Sequence, residues 1–306
     1  MPCSTHTYKR VGDLDIRADV HRPDGAALCP AVLSIHGGAL IMGHREWTDA
    51  RFRDLLLGAG YGVVSIDYRL APETRLPEVV QDVVDACAWL RGHGAEFGLD
   101  TRRLAVTGGS AGGYLTLVTG HRCQPPPAAL VSFWGYGDLI GDWYSTPSPH
   151  PCHHQDTVSP EEARRQVSGP PIADERQRRG SGWIFYQHCR QRGMWPTAVS
   201  GWDPRSEADR FRPYMPLLNV TPSYPPTLLV HGTQDTDVPY ENSTLMAAAL
   251  ARCGVPHELW TVEGAEHGLA GGDPAPIDQA YAAALAFVER HTGSARSGAA
   301  GGGRHG

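Results

Sequence analysis

The chain alternates short apolar runs with longer stretches of helical periodicity. The apolar runs are rich in Val, Ile and Leu, which is typical of buried strands, and the stretches between them repeat apolar residues every three or four positions. Strands that alternate with helices predict an α/β fold whose mostly parallel sheet is covered by helices on both faces. The predicted strands are 31–35, 62–66, 104–107, 130–133, 227–230 and 258–262, and the predicted helices are 48–57, 79–90, 114–121, 243–251 and 278–289.

Three segments depart from this alternation. Apolar and charged residues alternate strictly over 14–20, which predicts a half-exposed antiparallel strand. Residues 138–215 contain no strand pattern, and since a structureless loop of this length is rare in a compact domain, they are predicted to form an inserted cap with short helices, best defined at 161–166 and 183–192. The predicted organisation is therefore a core formed by 1–137 and 216–292, a cap of 138–215 and a disordered, low-complexity tail of 293–306.

Composition limits the kind of protein and its partners. The 306 residues are 41% hydrophobic and 20% charged, which is ordinary for a globular α/β protein that forms one domain or two. A net charge of −6 argues against a nucleic acid or an anionic membrane as partner. The seven cysteines are scattered, and the polar amino terminus lacks the apolar segment of a signal peptide. We therefore expect a cytoplasmic protein that acts on a small molecule, in an oligomeric state that the sequence does not determine.

A Gly-x-Ser-x-Gly sequence stands between a predicted strand and a predicted helix. It reads Gly108-Gly109-Ser110-Ala111-Gly112. Such a turn holds its serine in a strained backbone with the hydroxyl above the edge of the sheet. The flanking glycines are needed because a Cβ there would collide with the neighbouring strand and helix. Ser110 is the predicted nucleophile.

Serine needs a base to take its proton and an acid to orient that base. Where a turn of this kind carries the nucleophile, the acid and then the histidine follow along the chain. Asp235 and His267 occur in that order, each just after a predicted strand. Because an open parallel sheet places its site at the carboxyl ends of its strands, the three side chains are expected to meet. We assign His267 as base and Asp235 as acid.

Other residues could take these parts. Asp237 is an alternative acid, although its position just before Pro239 favours the capping of a following helix. His231 falls on the strand itself and is expected to be structural. Glu263 and Glu266 flank the histidine, but a neighbour in the same loop rarely orients its own ring.

An oxyanion needs backbone N–H groups already in position. One is expected from Ala111, which follows the nucleophile. The others are expected from Gly37, Gly38 and Ala39, which follow the strand 31–35. Small residues there let the amides approach a substrate carbonyl.

Two further groups of residues are ambiguous. Trp134, Tyr136 and Trp143 follow the strand 130–133, where they either line a substrate pocket above Ser110 or pack the cap against the core. The run Cys152-His153-His154-Gln155-Asp156 contains metal-ligating residue types. Adjacent histidines point in different directions, so this run is expected to be a solvated loop of the cap.

Several of these motifs together resemble an α/β-hydrolase. The run His36–Ala39 and the run Asp67–Glu73 are similar to those of hormone-sensitive-lipase type carboxylesterases, in which a third glycine usually stands where Ala39 does. The run His231–Pro239 resembles the prolyl-oligopeptidase and dienelactone-hydrolase branches. The resemblance covers about 28–135 and 224–290. It implies an α/β-hydrolase fold with a mostly parallel central sheet, and a structural role for Asp67–Leu70 beneath the site.

The residues and the resemblance predict a serine hydrolase that cleaves carboxylic esters of small or medium acyl groups through an acyl-enzyme, without metal or cofactor. The same triad also serves peptidases, amidases, aryl formamidases, and biosynthetic enzymes that transfer an acyl group or handle a lactone. A non-enzymatic alternative is a ligand-binding protein. Gibberellin receptors resemble the same lipase type but have lost the catalytic histidine, whereas His267 is in place here. The complete triad favours an enzyme.

Overall fold

The sheet has eight strands in the order β1-β2-β4-β3-β5-β6-β7-β8 in a computed structural model that describes residues 3–25, 28–155 and 157–293. The predicted disordered tail, 293–306, lies outside the described residues except for Gly293. Strands β3 to β8 pair in parallel, whereas β2 pairs antiparallel with β1 and β4. The strands are β1 Cys3–Val11, β2 Leu14–His21, β3 Cys29–Ile35, β4 Gly62–Ile66, β5 Leu99–Gly109, β6 Ala129–Phe133, β7 Thr227–Gly232 and β8 His257–Val262.

The predicted mostly parallel sheet is confirmed, and each predicted strand is present within a few residues. The sequence pattern missed β1 because it lies at the edge of the sheet and is polar and mostly exposed. Its one buried side chain, Tyr8, donates a hydrogen bond from its hydroxyl to the Asp67 carbonyl at 2.6 Å. This edge strand is therefore held by backbone pairing rather than by an apolar face.

Helices cover both faces of the sheet. Helices α1 and α10 pack against the face that carries Val32 and Val63, while α2, α3 and α9 pack against the other. Every helix predicted for the core is present. Within the described residues, none of the helices is long and apolar enough to span a membrane. The helices are α1 Ala50–Gly58, α2 Leu76–His93, α3 Ala111–Arg122, α4 Asp142–Ser145, α5 Pro160–Gln166, α6 Gly182–Arg192, α7 Trp195–Ser200, α8 Ala208–Phe211, α9 Glu241–Arg252 and α10 Pro274–Thr292.

The β6–β7 segment, residues 138–215, consists of short helices joined by irregular turns. It buries several large side chains in the same apolar cluster as the sheet. Trp195 is fully buried, and its indole N–H donates to the Ala39 carbonyl at 2.9 Å. The segment therefore rests directly on the loop that follows β3, while the domain boundaries drawn from the sequence stay predictions.

The turn from β5 into α3 leaves no space for a side chain at Gly112. A Cβ placed there would lie 2.1 Å from the Ile35 carbonyl oxygen and 2.7 Å from that of His36. Both of those atoms are backbone, so they cannot move aside as a flexible side chain would. Helix α3 can begin next to β3 only because residue 112 is glycine.

This close approach predicts opposite effects for two glycine substitutions. Gly112→Ala should lower the free energy of unfolding by roughly 1–3 kcal/mol or more, because the new methyl overlaps backbone. Gly92→Ala is the matched control, since Gly92 lies within α2 and an added Cβ there meets nothing within 4 Å. It should raise stability by about 0.5–1 kcal/mol. Urea unfolding of both variants measures the difference, and equal stabilities would contradict the packing described here.

Candidate active site

Ser110 stands at the junction of β5 and α3 in a strained conformation. Its φ is 57° and its ψ is −123°. The Ser110 amide donates to the Phe133 carbonyl on β6 at 3.0 Å, and its carbonyl accepts from the Tyr114 amide in α3 at 2.9 Å. Strained backbone of this kind persists only where surrounding contacts enforce it, as they do at functional sites. The turn presents the Ser110 side chain to a cavity at the carboxyl end of the sheet.

The Asp235 carboxylate, at the end of β7, accepts four hydrogen bonds. Its Oδ1 accepts from the amides of Asp237 and Val238 at 2.9 and 2.8 Å. Its Oδ2 accepts from His267 Nδ1 at 2.8 Å and from His231 Nε2 at 3.2 Å. Burial raises the pKa of this carboxyl, but the hydrogen bonds from the two histidines outweigh burial, so the net pKa is lowered. Asp235 is therefore ionised and fixed in orientation.

His267 lies in the loop after β8, with Nδ1 bound to Asp235 and its side chain about a quarter exposed to the cavity. Because the ionised carboxylate can only accept, the Nδ1 proton is fixed and Nε2 is left to exchange a proton. Burial lowers the pKa of His267, but the charges of Asp235 and Asp237 raise it by more, so the net pKa is raised. The ring is thus prepared to act as a base.

Ser110 and His267 line the same cavity. No hydrogen bond joins the Ser110 hydroxyl to His267 in the described part of the chain, although hydrogen bonds of this kind often tighten only when substrate binds. The structure therefore brings all three predicted triad residues to the carboxyl end of the sheet, and the contact between Asp235 and His267 is formed.

His231 is fully buried, contacts Asp235 and does not line the cavity. Its Nε2 lies 2.9 Å from the Val238 carbonyl, which can only accept, so Nε2 carries the proton and also donates to Asp235. Its Nδ1 then accepts from the Ser243 hydroxyl at 2.7 Å. The ring fixes the turn that holds Asp235, consistent with the structural role expected for it.

Asp237 does not cap a helix, so that expectation was wrong. Helix α9 begins after Tyr240 without a side-chain cap, and the Asp237 side chain turns instead toward the β6–β7 segment. Its Oδ1 accepts from His153 Nε2 at 2.9 Å and from the Tyr186 hydroxyl. Arg190 Nη1 donates to the backbone carbonyl of Asp237 at 3.0 Å. Its other oxygen, Oδ2, lies 3.7 Å from His267 Nε2. Burial raises the pKa of this carboxyl, but the hydrogen bond from His153 and the charges of His267 and Arg190 lower it well below its usual range.

In the run 152–156, His154 and Gln155 are exposed as expected for a solvated loop, but the network around Asp237 corrects the expectation for His153. His153 is buried rather than solvated, because it bridges Ser148 and Asp237. Asp156 lies outside the described residues. Sequence reasoning missed this network because its members are far apart along the chain, and only the tertiary structure brings them beside the histidine.

Three of the four predicted oxyanion donors line the cavity. Gly37, Gly38 and Ala39 line it beside Ser110, and Ala111 is the first residue of α3. Within the described residues, none of these four amides donates a hydrogen bond to a backbone carbonyl outside a helix or strand. Their role as oxyanion donors stays a prediction.

Two side chains donate hydrogen bonds to the Gly37 carbonyl, and this orients the adjoining amide of Gly38. His36 Nδ1 donates to it at 2.8 Å and the Tyr68 hydroxyl at 3.2 Å, and the two rings stack with centroids 4.1 Å apart. The carbonyl and N–H of one peptide unit point in opposite directions, so the Gly38 N–H faces away from these groups. Burial lowers the pKa of His36 to about 3, which keeps this support uncharged.

The cavity has a volume of about 480 Å³, and its lining includes seven Trp, Phe and Tyr side chains. Trp134 lies on its wall, with its ring centroid 6.3 Å from that of His267. Tyr136 and Trp143 do not line it, which corrects the expectation of a pocket role for them. Tyr136 is fully buried between Tyr114 and the aromatic side chains of the β6–β7 segment, and Trp143 stacks on Tyr144. Trp183, for which the sequence left a pocket role open, lines the cavity, and the aromatic pocket residues that the sequence did not indicate are Trp47, Phe52, Phe133, Tyr186 and Tyr281.

One group of metal-ligating residue types occurs among the described residues, and none of its members lines this cavity. It comprises Cys3, Asp19 and His21 on β1 and β2. Asp19 already forms an ion pair with Arg45 at 2.9 Å. The guanidinium would oppose a bound cation, so this cluster does not fit a metal ion.

Comparison with known proteins gives consistent similarities. The sequence profile of a family described as alpha/beta hydrolase fold matches residues 32–271. The chain is 27% identical over 313 residues to the non-reducing polyketide synthase Preu3 of Preussia isomera, which covers 86% of this chain and 12% of the synthase. It is 40% identical over 115 residues to the esterase LipI of Mycobacterium tuberculosis, which covers 37% of this chain and 36% of LipI.

The chain therefore spans a minor part of the length of both relatives. Among solved structures, an esterase from Pyrobaculum calidifontis superposes with a TM-score of 0.68 at 26% identity, over 94% of this chain and 85% of that one.

The proximity of Asp237 to His267 predicts a measurable shift in titration. Asp237→Asn removes a negative charge beside the imidazolium and leaves Arg190 uncompensated, so the pKa of His267 should fall. NMR titration of the His267 ring measures this change. Asp13→Asn, in the β1–β2 turn at the opposite edge of the sheet, should leave that titration unchanged. An unaltered His267 pKa in Asp237→Asn would show that the two side chains do not interact in solution.

Proposed function

The chain belongs to the alpha/beta hydrolase fold family, and on that premise we propose that it is a serine carboxylesterase that cleaves esters of small or medium acyl groups. The observation that carries the proposal is the 2.8 Å contact of an ionised Asp235 with His267, which lines the same cavity as Ser110. A fixed acid, an oriented base and a strained serine are the parts that acyl transfer requires.

In the proposed reaction, the Ser110 hydroxyl attacks the ester carbonyl while His267 Nε2 takes its proton. Asp235 holds the ring in the required tautomer and stabilises the imidazolium that forms. Negative charge develops on the former carbonyl oxygen, where the amides of Ala111 and of Gly37, Gly38 or Ala39 bind it. One such donor is worth about 3 kcal/mol of transition-state stabilisation in comparable sites.

The tetrahedral intermediate then breaks its bond to the alcohol oxygen. His267 Nε2–H protonates that oxygen, which leaves as the alcohol, and the acyl group remains on Ser110. Water repeats the sequence with His267 as base, and the carboxylic acid departs. We assign the role of a cap to the β6–β7 segment. Asp237 connects this cap to the loop that carries His267.

The two esterases among the compared proteins support ester hydrolysis. The match to part of a polyketide synthase favours a second candidate, biosynthetic acyl transfer, in which an alcohol or thiol replaces water at the second step. Product analysis with added alcohol separates the two, because acyl transfer yields a new ester and hydrolysis yields only the acid.

Hydrolysis of p-nitrophenyl esters from acetate to laurate tests the proposal. The wild type should be most active on short or medium chains, and Ser110→Ala should lose at least about 10³-fold in kcat because no nucleophile remains. Wild-type protein that is folded but hydrolyses none of these esters would contradict the proposal. Retained activity in Ser110→Ala would refute the assigned nucleophile.

A second substitution tests the acid. Asp235→Asn should lower kcat on the order of 10⁴-fold, since an amide NH₂ facing His267 and His231 would reverse the tautomer of the base. Glu263→Gln is the matched control, because it neutralises an exposed carboxylate in the loop of His267 and should change kcat less than twofold, roughly the effect of removing a screened surface charge. Comparable losses in the two variants would contradict the assignment of Asp235.

A further inference from the structure

The cavity of Ser110 extends inward between the sheet and α1. Its lining includes Trp47 and Trp183, which are 52% and 44% exposed and form its mouth. It also includes Leu56 and Val63, both 0% exposed, and Thr107 at 4%. These buried residues mark an inner end beneath β3, β4 and β5, which we call the deep subsite.

The deep subsite lies on the acyl side of Ser110. Strands β3 and β4 stand on one side of β5 in the sheet, whereas β6, β7 and β8 stand on the other. His267 follows β8 and, in the proposed function on which this inference rests, protonates the leaving alcohol. The alcohol therefore occupies the side of β7 and β8, and the acyl group extends toward β3 and β4.

Aromatic rings also line the cavity next to the deep subsite. Phe52 and Phe133 meet edge to face with centroids 5.1 Å apart, and Phe133 stacks on Tyr281 at 5.2 Å. Trp134 covers Gly109, where an added Cβ would lie 3.0 Å from the indole nitrogen. Such walls bind a planar ring better than a flexible chain, because rings pack in offset and edge-to-face arrangements.

Two hydroxyl groups at the cavity wall lack hydrogen-bond partners among the described residues. In the part of the chain that the structure describes, the hydroxyls of Thr107 and Thr48 are buried and have no hydrogen-bond partner, and both residues line the cavity. A buried hydroxyl without a partner is unfavourable and can both donate and accept. A ligand with one polar substituent would form a hydrogen bond with such a hydroxyl.

The spacing along β5 fits one aromatic ring. Thr107 precedes Ser110 by three residues, or about 10 Å of extended strand. An ester carbon on Ser110, a benzene ring with a para hydroxyl and one hydrogen bond span about that length. We propose that the deep subsite binds the acyl part of a hydroxylated aryl carboxylic ester, with the ring hydroxyl bound to Thr107 Oγ1.

The test compares kcat/KM for methyl 4-hydroxybenzoate and methyl benzoate within each variant. The ratio in the wild type should fall about 3- to 10-fold in Thr107→Val, which keeps the shape of the side chain but removes its hydroxyl. Thr107→Ser retains the hydroxyl and should restore the ratio. Thr116→Val is the matched control, since Thr116 also has a buried, unpartnered hydroxyl but lies in α3 outside the cavity lining; its ratio should equal that of the wild type.

The outcomes separate this inference from the proposed function. If the wild type hydrolyses p-nitrophenyl acetate but Thr107→Val leaves the ratio unchanged, the deep subsite is overturned and the esterase remains. If the wild type hydrolyses no ester, the proposed function itself fails. Calorimetric titration of Ser110→Ala with 4-hydroxybenzoate and benzoate gives a readout independent of turnover, and equal affinities for the two acids would also overturn the subsite.

Discussion

At Ser110 the chain leaves a buried strand and enters a helix through a backbone conformation that side chains with a Cβ seldom adopt. Gly112 allows α3 to touch the carbonyls of Ile35 and His36, and the amide of Ser110 is bound to β6. Ala39 and Trp134, which also line the cavity, have positive φ values of 56° and 36°. Local strain is thus concentrated where three strands end, and the packed sheet below compensates for it.

The second constraint on the site is the buried negative charge of the Asp235 carboxylate. Four donors hold it, so its charge is retained despite burial and its orientation is fixed before substrate arrives. Preorganised charge of this kind costs no reorganisation during the reaction. Asp237 adds a second carboxylate near the other nitrogen of His267 and connects that nitrogen to His153, Tyr186 and Arg190 of the β6–β7 segment. The base is therefore coupled both to the sheet and to the segment above it.

Much of this arrangement could be predicted because its determinants are local. Buried parallel strands are continuously apolar, so β3 to β7 were recognisable, and the order of Ser110, Asp235 and His267 follows strand ends. The edge strand β1 lacks an apolar pattern, and α4 and α7 are too short to show periodicity. The sequence misassigned Asp237 and left two alternatives open for Tyr136 because the partners of both are distant along the chain. Only the fold shows that Asp237 faces His267 and that Tyr136 packs in the core.

The most direct test of the central claim is covalent labelling with a fluorophosphonate, followed by intact mass measurement and peptide mapping. The phosphorus is attacked by an activated serine, fluoride leaves, and the adduct remains on the side chain. One adduct is expected, located on Ser110 and formed far more slowly in His267→Ala. Labelling on a different residue, or equal labelling rates with and without His267, would contradict the claim that this histidine activates Ser110.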